Sequence, residues 1–290
     1  MTELVVQSLY SGLLVGGLYA LVALGLALVF GAMKIVNLAH GELVLLAAYV
    51  AYEFEARLHH NPMFAIPLAL VVVCAAAGFV YLLANHISRD RELNSLILTY
   101  GLGVVLTNAI LLVWTADVHS TSSEWLQASL PLGSLVSMRG EVVFFAASLL
   151  LMIALWRWLS RSWYGLAVRA VSSNRDAGKL MGVSPARAEL VSFVVAGVLA
   201  SFAGVGIYAT GVIQPPLGNA LTVKAFIITI LAGVGSIPGV LVGAVLLGVT
   251  SALTVTFFSS ALQELAGMLL FLLVLYALPN GLFGKGGRRG

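Results

Sequence analysis

Residues 5–30 read VVQSLYSGLLVGGLYALVALGLALVF, 26 positions without one Asp, Glu, Lys or Arg. A helix rising 1.5 Å per residue needs about 20 apolar residues to cross the roughly 30 Å hydrocarbon core of a bilayer. The stretch therefore predicts a membrane-spanning helix, and the remainder of the chain repeats its character. Of 290 residues, 60% are hydrophobic and 9% charged, with a mean hydropathy of +1.03. A soluble domain uses about 25% charged residues to cover its surface, so a soluble fold is excluded. No basic segment or small-residue cleavage site precedes the first run, which reads as a retained span rather than a removed signal.

Six further runs have the same reading: 63–83, 93–114, 142–159, 190–212, 239–257 and 261–278. Two others are compromised. Residues 33–52 contain Lys34, Asn37, His40, Gly41 and Glu42, while 221–234 is short, opens near Lys224 and runs into a Gly-rich turn. Counting these two, the sequence predicts an all-α, polytopic helical membrane protein of about eight to nine spans, some broken or short. The longest stretches between spans hold roughly 30 residues, too few for a core of their own, so residues 1–290 form a single transmembrane domain.

One charged island interrupts the apolar chain. Residues 157–189 hold six of the 15 Lys and Arg, with Trp156, Trp158 and Trp163 at its edge, where aromatic rings anchor at headgroup level. Basic loops stay on the cytoplasmic side. That places the island, Arg89 and Arg91, and the tail cations Lys285, Arg288 and Arg289 inside. The loop 115–141, with three acidic residues and only Arg139, lies outside. Alternation then puts the N-terminus outside and the C-terminus in the cytoplasm. The net charge of +3 reflects this bias; there is no basic stripe with interleaved aromatics, so nucleic acid is not a partner. Cys74, the one cysteine, excludes an intramolecular disulfide.

The missing motifs narrow the function. There is no phosphate loop, no H-E-x-x-H, no cysteine pair and no G-x-S-x-G, so the chain binds no cofactor or metal that these would hold and is not an enzyme. Polar groups in a membrane segment are costly and face cavities or the bundle interior. Asn37, His40 and Glu42 therefore have two readings, a part in a translocation path or simple capping at the interface. His40 and Glu42, two apart, point to different helix faces, and Gly41 would let the helix break there. The turn around Gly233 and Gly235 is either a tight connection or a moving gate, and Gln214-Pro215-Pro216-Leu217-Gly218 is a stiff outer loop. The 30 glycines, including the pair Gly12 and Gly16 and the stripe from Gly239 through Gly243 to Gly248, serve helix packing or an interface between subunits. Each half of the chain has a long span followed by a short, Gly-interrupted one, a pattern expected of internal repeats.

Inside the island, Ser172, Ser173, Asn174 and Asp176 offer N-terminal caps and Gly182 a stop, with Pro185 starting the next helix. This predicts a short helix over 172–182 within a cytoplasmic loop of about 160–187. Leu180 and Met181 beside the charges mark it as a docking surface.

On these residues the chain resembles the permease subunits of bacterial ABC importers, specifically the branched-chain amino acid permease family. The resemblance spans nearly the whole chain. It is carried by Gly17-Leu-Tyr-Ala-Leu-Val-Ala-Leu-Gly25, by Val36-Asn37-Leu38-Ala39-His40-Gly41-Glu42, by the island, and by Lys224-Ala225-Phe226 through Gly239. Asp176-Ala177-Gly178-x-x-x-Gly182 looks like a degenerate Glu-Ala-Ala-x-x-x-Gly loop, through which such permeases engage their ATPases. The resemblance implies coupling to an ATPase through Ser172, Asn174, Arg175, Asp176, Ala177, Gly178, Leu180, Met181 and Gly182. It also implies a second, different permease chain, two cytoplasmic ATPase subunits holding ATP and Mg, and a periplasmic substrate-binding protein, all at the bacterial inner membrane, with this chain the shorter permease type. Relatives serving urea, short amides or other amino acids leave the cargo open. A self-sufficient secondary transporter working through His40 and Glu42, or a membrane scaffold, are the rival classes.

Overall fold

The structure, a computed structural model, describes residues 1–87, 91–233 and 235–283. Arg89, Val234, Lys285, Arg288 and Arg289 lie outside the described residues. Its helices are α1 (Thr2–Met33), α2 (His40–Leu58), α3 (Ile66–Asn85), α4 (Arg91–Trp114), α5 (Glu124–Gln127), α6 (Arg139–Arg161), α7 (Trp163–Ser173), α8 (Arg175–Leu180), α9 (Pro185–Thr210), α10 (Leu217–Ala232), α11 (Ile237–Phe257) and α12 (Gln263–Ala277). Two 3-10 turns (Pro62–Ala65 and Ser260–Leu262) and four short strands complete the described structure, the strands being β1 (His119–Ser120), β2 (Ser129–Leu132), β3 (Leu135–Met138) and β4 (Val212–Ile213). Strands β2 and β3 form a hairpin, and β1 pairs antiparallel with β4. Among the described residues, seven helices are long and apolar enough to cross a membrane: α1, α3, α4, α6, α9, α11 and α12, with α3 and α12 each counted together with the 3-10 turn before it (Pro62–Ala65 and Ser260–Leu262). The all-α polytopic fold is thus established.

Hydrogen bonds between distant segments define two poles. At the first, Gln7 Nε2 donates to Val136 O (2.7 Å), Ser8 Oγ lies 2.9 Å from Thr256 Oγ1, and Asn61 Nδ2 donates to Ser123 Oγ (3.3 Å). This loop pole gathers the chain start, the α2–α3 turn, the hairpin and the end of α11. At the opposite, island pole, Ser172 Oγ donates to Gly31 O (2.5 Å), and Leu282 N donates to Leu231 O (2.7 Å). The beginning and the described end of the chain therefore sit at opposite poles, which requires an odd number of passages.

Two of the passages are made by broken segments. Residues 34–39 leave α1 through Lys34 in the left-handed region (φ 55°) and turn inward before α2 begins at His40. The break expected at Gly41 lies instead upstream of it, and Gly41 is the second residue of α2. Residues 211–216 likewise turn inward from the loop pole to start α10. The expected outer loop 214–218 accordingly ends with Gly218 buried inside the bundle. The two halves run in opposite senses, α1 from loop pole to island pole and α9 in reverse. Each long helix carries the other half's pair: α2 and α3 pack on α9, and α10 and α11 on α1.

Small residues make these crossings possible. A Cβ on Gly248 would stand 2.4 Å from Gly12 O and 2.8 Å from Gly16 N. On α9, a Cβ at Gly204 would meet Val44 O at 2.1 Å. Gly12, Gly16 and Gly248 are thus consumed by packing within the chain, which decides between the two uses expected for them. Overpacking such a contact costs about 1–3 kcal/mol. Gly248→Val should lower the melting temperature in detergent accordingly. Gly78→Ala, where an added Cβ meets nothing within 4 Å, should leave it unchanged or raise it by the helix preference for Ala. Equal melting of Gly248→Val and the parent would refute the close crossing.

Candidate functional site

The candidate residues assemble in two places. The first is the bundle interior, where the N-terminal ends of α2 and α10 meet. Asn37 and His40 are each 1% exposed. Asn37 Oδ1 accepts from Ala39 N (3.1 Å), and His40 N donates to Asn37 O (3.2 Å), so Asn37 folds the turn that launches α2. The His40 ring fits against Gly25, where a Cβ would stand 2.6 Å from its Cε1, and Nε2–H donates to Val22 O (2.9 Å). Val22 lies 12 residues, or about 18 Å, from Lys34 at the island end of α1. His40 is therefore deep in the bundle, and the interfacial capping expected as one alternative does not describe its position.

Gly41 is demanded by contact with α10. A Cβ there would stand 2.0 Å from Gly218 O, and Gly41 N donates to Thr222 Oγ1 (2.9 Å). Glu42, buried on the neighbouring face, directs its carboxylate at the first turn of α10; a Cβ on Gly218 would meet Oε2 at 2.0 Å. Its Oε2 is buried there without a hydrogen-bond partner among the described residues. His40 thus turns to α1 and Glu42 to α10, as their two-residue separation requires. Lys224, one turn further along α10, donates to Tyr19 OH (3.2 Å) with its ammonium 5.0 Å from that ring's centre.

Gly233 and Gly235 are not part of this junction. They form the α10–α11 turn at the island pole, with φ of +82° and +85°, followed by Ser236, whose Oγ accepts from Gly239 N (3.1 Å). The turn borders a cavity of about 980 Å³ shared with Ser172 and Ser173.

The second place is the island. The single helix expected over 172–182 is two helices, α7 and α8, divided at Asn174 (φ −154°). Of the four cap candidates, Asn174 does the capping: its Oδ1 accepts from Asp176 N and Ala177 N, both at 3.0 Å. Ser172 spends its hydroxyl on Gly31 O instead. Gly182, at φ +80°, ends α8 as expected, with Gly182 N donating to Lys179 O and Val183 N to Gly178 O, both 3.0 Å, the paired bonds of a Schellman stop. Gly178 is buried against Val171, whereas Asp176 and Ala177 are exposed. Leu180 and Met181 are 89% and 83% exposed, two apolar side chains presented at the tip of the pole. Arg175 Nη2 lies 3.2 Å from Glu189 Oε1, and Glu189 is 1% exposed. The hairpin α7–α8 is thereby tied to α1 through Ser172 and to α9 through Arg175.

Glu189 escaped sequence reasoning, as did Glu55 at the loop pole. Glu55 Oε1 accepts from Thr121 Oγ1 (3.0 Å), Ser122 N (3.1 Å) and Ser122 Oγ (3.0 Å), and Oε2 from Tyr208 OH (2.6 Å). Each is an acidic residue at the edge of an apolar run, which was the available signal.

A family profile described as branched-chain amino acid transport system / permease component matches residues 8–278. The chain is 31% identical over 299 residues to the high-affinity branched-chain amino acid transport system permease protein BraD of Pseudomonas aeruginosa, covering 96% of this chain and 95% of that protein. It is 30% identical to the permease protein LivH of the corresponding system in Salmonella typhimurium, with the same coverage. A solved structure, PsaBC from Streptococcus pneumoniae in complex with Fab, aligns with 94% of this chain and 93% of its own at TM-score 0.53 and 11% identity, a likeness of fold. The chain belongs to the family of branched-chain amino acid transport system permease components, a family of transport subunits and not of enzymes.

Proposed function

We propose that this chain is the permease subunit of an ATP-driven importer that carries branched-chain, hydrophobic amino acids across the bacterial inner membrane. The island pole faces the cytoplasm and receives ATPase subunits on α8; the loop pole faces the periplasm and a substrate-binding protein. A second permease chain completes the membrane part. The observation that carries the ATPase contact is the exposure of Leu180 and Met181 on a capped, stopped and doubly tied helix. An exposed apolar pair on a rigid support favours docking of a soluble partner. The basic residues of the island support the cytoplasmic assignment. The names of the relatives support the cargo.

In this reading ATP and Mg belong to the partners. The chain supplies the path and is moved by the push on α8. Asn37, His40 and Glu42 belong to the moving junction of α2 and α10, and Gly233 and Gly235 form the turn that follows α10.

Affinity capture from native membranes should bring down two ATPase chains and a second permease. In proteoliposomes, leucine uptake should require ATP and those partners, and the chain alone under an ion gradient should carry none. Uptake by the isolated chain would overturn the importer reading in favour of a secondary transporter. Within the complex, Leu180→Asp with Met181→Asp should abolish ATPase capture while leaving the spans inserted. Gly182→Val, strained at a positive φ by about 1–2 kcal/mol, should reduce ATP-dependent uptake. Full uptake by these variants would sink the docking assignment.

The tie between α8 and α9 has its own test. A double-mutant cycle with Arg175→Ala and Glu189→Gln should return an interaction of about 0.5–3 kcal/mol in denaturation, toward the lower part of that range because Arg175 is partly exposed. Additive effects would show that the two side chains act independently.

A further inference from the structure

The cavity at the island pole is amphipathic. Its deep wall is apolar, with Leu24, Leu28, Leu155 and Val240, and its mouth carries Arg169, Ser160, Ser173 and Asn280. Along α1 it extends from Leu24 to Gly31, about 10 Å. Trp156, 56% exposed, stands at the edge, as an interfacial aromatic does. Arg169 is exposed and donates to Ser160 O at 3.3 Å, which holds the guanidinium beside the opening. The exposed Arg157 and Arg161 flank Ser160 in sequence.

Nor do the described residues close this space. A Cβ on Gly31 or on Gly235, both lining it, would meet nothing within 4 Å. Glycines at the helix crossings, such as Gly12, Gly41 and Gly204, are crowded by neighbouring backbone; here they open onto room. An occupant must therefore offer an apolar chain about 10 Å deep and an anion at the mouth. A fixed cation at an opening level with the membrane surface attracts anionic lipid.

We propose that this cavity is a binding site for one anionic phospholipid, with an acyl chain between α1, α6 and α11 and its phosphate on Arg169. The site depends on the fold and on the pole lying at the membrane surface. It is independent of which subunit docks on α8, so its failure would leave the importer reading untouched.

Native mass spectrometry of the full chain, purified with the subunits it brings from the membrane and exchanged into nanodiscs of phosphatidylcholine with or without phosphatidylglycerol, provides the test. The wild type should retain one phosphatidylglycerol in preference to phosphatidylcholine. Arg169→Gln should lower that retention roughly fivefold, the worth of one basic residue near an anionic surface. Gly31→Trp should fill the cavity and abolish retention at an unchanged melting temperature in lipid-free detergent. Gly31→Leu, a smaller plug on a helical position, should reduce it in the same way. Equal retention of both lipids by the wild type, or undiminished retention in Arg169→Gln or in both Gly31 variants, would overturn the site.

Discussion

Every backbone amide and carbonyl inside a bilayer must find its partner within the protein, because each unpaired group costs several kcal/mol there. This chain breaks its backbone ladder inside the bundle, at residues 34–39, and much of the surrounding structure answers that one demand. Leu38 N donates to Thr99 Oγ1 on α4, and the same hydroxyl lies 3.3 Å from Val36 O. Thr222 on α10 lies 3.3 Å from Leu38 O and accepts from Gly41 N. Asn37 serves the next amide. A break stitched by hydroxyls from two other helices cannot form until α4 and α10 are in position. The second break, at 211–216, is held differently, by the two-residue pairing of β4 with β1 at the loop pole.

That demand explains the placing of the glycines as well. A hydroxyl reaches a backbone group on another helix only if the two axes are close, and close axes require a missing side chain. Gly41 against Gly218 brings α2 and α10 together, and Gly204 brings α9 against Val44 and Ala48 of α2. The glycines at Gly12, Gly16 and Gly248 then hold α1 to α11, so both long helices are gripped by helices of the opposite half.

The long spans were legible because length and apolarity alone decide them, and residues 5–30 decided the class. The paired, interrupted segments were legible as a pattern. Their exact break was not: Gly41 looked like a hinge because local reading credits glycine with flexibility, whereas its reason is a carbonyl on α10, 177 positions away in sequence. The island shows the same limit. Four capping residues within five positions could not be ranked locally; Asn174 makes the cap, while Ser172 is engaged by the end of α1. Glu189 was invisible for a related cause, since its partner Arg175 approaches only after α8 folds back along α9.

These same contacts constrain how the two candidate places can move. Helix α8 is too short to act by itself, and its firm connections run through Arg175 to α9 and through Ser172 to α1. Those two helices are the ones that carry the broken segments: α1 holds His40 through Val22 O and packs α10, and α9 packs α2. Interiors this dense transmit displacement instead of absorbing it. A displacement of α1 relative to α9 would bear on the junction of α2 and α10, where the bonds are single hydroxyl contacts of 2.9–3.3 Å and not a continuous ladder. That junction is joined to α1 through His40 and to α9 through α2, so a relative movement of the two long helices is felt at the broken segment.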